Sequence, residues 1–192
     1  LEMKKILCVL LLLFTGCSSK TSMIEIQKHV YVEKEFKDSW LETNEFGDSY
    51  IKEELQGGYH YHFDQQFLEI FFNTGGKIEL YNYSIKKNDL IISGEMIPPK
   101  TIRLVHPHLD NVTSEGVIIH ELGHYFDEKH QFSSSKQFTK LYKKYRTLFN
   151  QKTKKEYFAE CFKEYVGGHQ EKVKPFHSYM KTITQKIRQK NK

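Results

Sequence analysis

His120-Glu121-Leu122-Gly123-His124 governs how the rest of this chain reads. On a helix, the HExxH spacing sets two imidazoles at i and i+4, on one face and one turn apart, where they can chelate a single Zn²⁺. Glu121 falls between them, about 100° around the helix, close enough to take a proton from a zinc-activated water without being a ligand. Val117, Ile118 and Ile119 lead into the motif, and Leu122 and Phe126 follow. A solvated helix face would not carry such apolar flanks, and two unpaired histidines with a glutamate would be costly among them. The expectation is one zinc ion per chain.

A catalytic zinc usually has three protein ligands and one open position, so a third ligand must come from elsewhere. Glu156-Tyr157-Phe158-Ala159-Glu160 offers two carboxylates at i and i+4, of which one can bind the ion while the other orients a ligand histidine. Both have ordinary alternatives. Thr153-x-x-Glu156 is a capping box that would use Glu156 at its own helix terminus, and Glu160 would serve equally as an exposed surface residue. Residue chemistry alone leaves the choice open.

Ahead of the motif the periodicities are shorter. Residues 18–58 are mixed and predict one helix around Phe36, Trp40 and Leu41. Tyr59-His60-Tyr61-His62-Phe63 alternates like a strand, with His60 and His62 on one face, either for a metal or, more simply, exposed opposite buried aromatics. From Phe67 to Val105, apolar runs are broken by Asn73-Thr74-Gly75-Gly76, Lys87-Asn88-Asp89 and Pro98-Pro99. That pattern predicts short antiparallel strands, with cores at Ile78–Leu80, Leu90–Ile92 and Ile102–Val105. Ser114 can cap the HELGH helix. Three apolar stripes follow: Phe138, Leu141/Tyr142, Tyr145 and Leu148/Phe149; then Phe158, Cys161/Phe162 and Tyr165, stopped at Gly167-Gly168; then Phe176, Met180, Ile183 and Ile187 after Pro175. Strands first and helices afterwards make the fold class α+β.

Lys4-Lys5, the apolar run Ile6 to Phe14, and Thr15-Gly16-Cys17 resemble a bacterial lipoprotein signal. That resemblance implies removal of residues 1–16, lipidation of Cys17 and export to the outer face of the cytoplasmic membrane, with an uncleaved anchor as the alternative. The expected organisation is a tether and N-terminal segment over 17–58 and one domain over 59–192, its sheet in 59–110 and its helical part in 111–192. With Cys8 in the signal and Cys17 lipidated, Cys161 is the remaining thiol, a small buried core residue in preference to a nucleophile. The net charge of +5 thickens toward Lys181, Lys186, Arg188, Lys190 and Lys192, but no nucleic-acid motif accompanies it. A solvated tail near anionic headgroups is the simpler reading, and a monomer is expected.

Ser114-Glu115-Gly116 before HELGH, Asp127 after it, and then EYFAECF at 156–162 are similar to the C-terminal protease domain of anthrax lethal factor and its relatives, which include the secreted Pro-Pro endopeptidases. The similarity runs from about Gly94 to Ile187 and includes Ile97-Pro98-Pro99-Lys100-Thr101-Ile102-Arg103-Leu104. It implies a zincin-like fold, with a small, mostly antiparallel sheet over the active-site helix. It also implies His120, His124 and Glu156 as zinc ligands, Glu121 as the base, and Glu160 and Asp127 behind the ligands. The family's tyrosine seven residues before the glutamate ligand is Phe149 here, so Tyr145, ahead of Tyr142, is the candidate oxyanion donor. The strand Ile102, Arg103, Leu104, Val105 is expected at the sheet edge, holding an extended peptide or protein substrate by β-augmentation. Together these features predict a surface-tethered zinc metalloendopeptidase. The rivals are a catalytically weak zinc-binding lipoprotein that captures a peptide or partner, and a structural lipoprotein with a vestigial motif.

Overall fold

A computed structural model describes residues 22–43, 48–83, 85–87, 90–106, 116–150 and 153–190. Cys17 and Ser114 lie outside the described residues. Among the described residues seven strands form: Met23–Gln27 (β1), Val30–Glu33 (β2), Lys77–Tyr81 (β3), Ile85–Lys87 (β4), Leu90–Ile92 (β5), Gly94–Ile97 (β6) and Thr101–Val105 (β7). β4 and β5 make a separate hairpin, and the other five form one sheet in the order β1-β2-β3-β7-β6.

The pairing is mixed, which corrects the expectation of a mostly antiparallel sheet. β1–β2 and β6–β7 are antiparallel, whereas β2–β3 and β3–β7 are parallel. A parallel pair needs a long crossover. For β2–β3 it is supplied by three short helices, Lys37–Leu41 (α1), Tyr50–Gln56 (α2) and Gln66–Asn73 (α3). The N-terminal segment therefore belongs to the domain, contributing two of its five sheet strands and α1 and α2, where a single helix was expected. Phe67 begins no strand but sits on α3, where Phe67, Ile70 and Phe71 follow helical spacing. Tyr59–Phe63 is also no strand. It is a connection after Gly57 and Gly58, whose φ values are 86° and 85°.

Register explains which sheet face is inside. Val30, Ile78 and Ile102 lie side by side, as do Val32, Leu80 and Leu104, and all six are fully buried. The opposite face carries Glu79, Arg103 and Glu95 in adjacent positions. Arg103 Nε donates to Glu79 at 3.1 Å, Lys77 Nζ to Glu79 at 2.6 Å, and Tyr81 OH to Glu79 at 3.0 Å. The strands thus bury an apolar row on one face and place on the other a charged row in which Glu79 is itself buried beneath its partners.

The helical half follows the three stripes in part: Val117–His130 (α4) carries HELGH, and Lys136–Tyr145 (α5), Lys154–Val166 (α6) and His177–Gln189 (α7) follow, with Leu148 and Phe149 past the end of α5 and Phe176 just ahead of α7. Phe138 is fully buried among Phe158, Phe176 and Tyr179. Cys161 is buried, and burial pushes its thiol up, away from reactivity. α4 and α6 pack closely at Gly123: a Cβ there would lie 2.9 Å from Ala159 Cα. No helix among the described residues is long and apolar enough to cross a membrane.

Candidate metal centre

α4 starts at Gly116, which takes a left-handed φ of 72° and accepts from His120 N–H at 2.9 Å. From there His120 and His124 face α6 one turn apart. α6 is capped by Thr153, whose hydroxyl accepts from Glu156 N–H at 3.2 Å. The Glu156 side chain does not complete the capping box; it turns to the histidines. Because Gly123 and Ala159 let the helices approach so closely, Glu156 and Glu160, on either side of Ala159, reach His120 and His124.

Three atoms converge. His120 Nε2 lies 3.2 Å from Glu156 Oε2, His124 Nε2 lies 3.3 Å from the same oxygen, and the two Nε2 atoms are 3.1 Å apart. A tetrahedral ion with bonds of about 2.0–2.1 Å keeps its ligands about 3.3–3.4 Å apart, so this triangle has the size such an ion needs. Among the described residues, His120, His124 and Glu156 are the one His/Cys/Asp/Glu group of at least three that could hold a metal. Glu160 Oε2 stands 3.2 Å from His120 Nδ1. With Nδ1–H donated there, His120 Nε2 is left as a lone pair directed at its neighbours.

The electrostatics favour a cation at this point. Burial disfavours charge on the His120 ring, but the Glu156 and Glu160 carboxylates outweigh it and push the ring up to about 9. Hydrogen bonds from His120 and His124 hold the Glu156 carboxyl well below the usual range. Burial would raise Glu160, but His120 and Lys163 pull it down. Glu121 goes the other way. It is 6 % exposed, and burial raises its carboxyl despite the two histidines and a hydrogen bond from Met96 N–H.

The cluster lies in an open cleft of about 810 Å³, lined by Ile92, Gly94, Met96 and Pro98 on one side and by Asp127, Glu128, Asn150 and Lys155 on the other. Its rim is β6, the outer strand. This corrects the assignment of Ile102–Val105, which is β7 and lies inside the sheet between β3 and β6. Val105 N–H donates to Ser93 O, so the alternate residues Gly94 and Met96 turn their N–H and C=O groups away from β7. Met96 N–H meets Glu121 on that side.

The two tyrosines weighed as oxyanion donors are elsewhere. Tyr145 packs on Phe176, with Lys144 over its ring, and its carbonyl accepts from Tyr157 OH; it does not line the cleft. Tyr142 and Phe149 pack on Tyr157. Asp127 is buried and lines the cleft, but its carboxylate binds Ser133 N–H and Oγ, each at 2.6 Å, bracing the turn after α4. His60 and His62 are exposed in the connection after α2. Met96 and Lys163 were not anticipated. A backbone contact leaves no side-chain signal, whereas Lys163 stands at i+3 from Glu160 and was open to inspection. No known family's description matches the chain, and no curated protein matches it.

Proposed function

We propose that this protein is a zinc-dependent metalloendopeptidase of the lethal-factor-like class, with a zincin-like fold, tethered outside a membrane through Cys17. One observation carries the hydrolase reading: His120 Nε2, His124 Nε2 and Glu156 Oε2 meet at 3.1–3.3 Å in an open cleft beside the buried carboxylate of Glu121. Two imidazoles and one carboxylate form a donor set suited to zinc with a position left open. Bound there, zinc supplies the Lewis acidity that polarises a scissile carbonyl and makes a water acidic enough to lose a proton near neutral pH.

Glu121 takes that proton, and its raised affinity for protons suits the task. It then delivers the proton to the leaving amine. Glu160 holds His120 through Nδ1, so that Nε2 keeps facing the cleft. The outward N–H and C=O of Gly94 and the C=O of Met96 can pair with an extended peptide, which lies along β6 as an added strand across the cluster. The lipid tether rests on residues 4–17 of the sequence, and it directs the activity to extracellular proteins or peptides.

The test is a random peptide library incubated with the purified protein, with and without chelator, alongside elemental analysis of bound metal. About one zinc per chain and chelator-sensitive cleavage at internal bonds are expected. Protein without zinc, or cleavage that ignores the chelator, would sink the reading. A second reading, a zinc-binding lipoprotein that holds peptides but cleaves them poorly, is favoured by one observation: no tyrosine is among the described residues that line the cleft. Peptide retained intact on zinc-loaded protein would select it.

A further inference from the structure

Glu156, Glu160 and Glu164 recur every four residues on α6, and Glu164 has no part in the cluster described above. It is 4 % exposed. Its carboxylate accepts from Tyr61 OH at 3.1 Å and from His169 Nδ1 at 3.0 Å, and it pairs with Lys172 Nζ at 3.1 Å and Lys163 Nζ at 3.7 Å. Lys163 is also largely buried. Its ammonium sits 2.6 Å from Glu160 Oε1, while Glu160 Oε2 faces His120 Nδ1 at 3.2 Å. An unbroken series of charged contacts therefore runs from Glu164 through Lys163 and Glu160 to His120.

The lysine stem is pinned as well. A Cβ on Gly116 would lie 2.9 Å from Lys163 Cδ and 2.9 Å from the Tyr61 ring, so both side chains pack on the residue that opens α4. A long ammonium side chain ordinarily wanders, and this packing removes that freedom. Glu160 and Glu164 are one turn apart and repel each other, so the cation between them decides where Glu160 points.

We propose that Lys163 is a positioning residue of the metal centre: it fixes one oxygen of Glu160, shares its charge with Glu164, and so keeps the other Glu160 oxygen on His120 Nδ1. The inference rests on the zinc reading above. Contacts behind a metal ligand commonly change metal affinity by about 10–100-fold, and Lys163 acts through such a contact.

The experiment measures the zinc dissociation constant of the full chain by chelator competition, for the wild type, Lys163→Met, Lys163→Arg, Glu160→Gln and the Lys163→Met/Glu160→Gln double variant. Lys163→Met should weaken zinc binding about tenfold or more, Lys163→Arg should recover most of that loss, and Lys163→Met should add little once Glu160 is Gln. That non-additivity is the signature of acting through Glu160, which general loss of packing would not produce. If Lys163→Met does not fold, Lys163→Arg and Lys163→Gln carry the same comparison. A wild type that binds no zinc defeats the zinc reading itself. Zinc-binding wild type with an unchanged constant in Lys163→Met, or with additive losses in the double variant, overturns the role of Lys163.

Discussion

Glu121, Glu156 and Glu160 present the same carboxyl chemistry in three settings, and substitution should separate them. Glu121→Gln keeps shape and burial but cannot accept a proton. Zinc content and melting temperature should stay near wild type while turnover falls to a trace; cleavage at a large fraction of the wild-type rate would remove Glu121 as base. Glu156→Gln should weaken zinc far more than Glu160→Gln, since Glu156 Oε2 faces both Nε2 atoms and Glu160 faces only the rear of one ring. Equal losses in a chelator titration would shift the ligand assignment by one helical turn. At this scale the HExxH geometry was legible because an i, i+4 relation is local. Glu156 was legible only as one of two carboxylates, because its choice depends on how α4 meets α6. Tyr145 was misplaced for the same reason: an apolar stripe says which face is buried, not which neighbour buries it.

Between elements, the contact that aligns the histidines with the carboxylates is Gly123 on Ala159. Gly123→Ala puts a methyl 2.9 Å from Ala159 Cα, and overpacking of this kind costs about 1–3 kcal/mol. Denaturant melts should show that loss together with weaker zinc binding, and a variant as stable and as tight as wild type would mean the helices can part freely. The outer sheet face offers a pH test. Burial alone would raise the Glu79 carboxyl, but Lys77, Arg103 and Tyr81 hold it below its ordinary value of 4.5. A lowered folded value means a contribution to stability that is present above about pH 4.5 and lost as the pH falls below it toward the folded value. Glu79→Gln should therefore flatten the pH dependence of stability in that acid range, measured by urea melts, and unchanged steepness would assign the acid response to other groups. The β3, β5 and β7 cores were legible from their apolar runs. Strand order was not, since β2 and β3 are joined through three helices and nothing local states that they lie parallel. Tyr59–Phe63 alternates, but Gly57 and Gly58 ahead of it adopt positive φ and the segment pairs with no strand.

Across the whole molecule, the half that follows HELGH is one-sided in charge. Between Glu128 and Glu156 there is no acidic residue, and α5 exposes Lys136, Lys140, Lys143 and Lys144 opposite its buried stripe. Glu160 and Glu164 are drawn inward to α4 and its surroundings, so they do little to balance that exterior. The same convergence has a consequence for the chain as a polymer. His124 and Glu156 are 32 residues apart, and the segment between them contains all of α5. An ion held by both is a reversible cross-link that closes this segment into a ring. Because the unfolded chain offers no such preformed site, the free energy of binding the ion adds to the stability of the closed segment. Chelation should then loosen α5 and its flanks before it disturbs the sheet, with faster amide exchange and new protease cuts within 131–153. Cuts spread evenly along the chain, or a pattern indifferent to chelator, would show that α5 is held by its packing on Phe158, Phe176 and Tyr179 alone. If the segment does loosen, the metal that equips the cleft for chemistry also serves as the clasp that keeps this part of the chain from fraying.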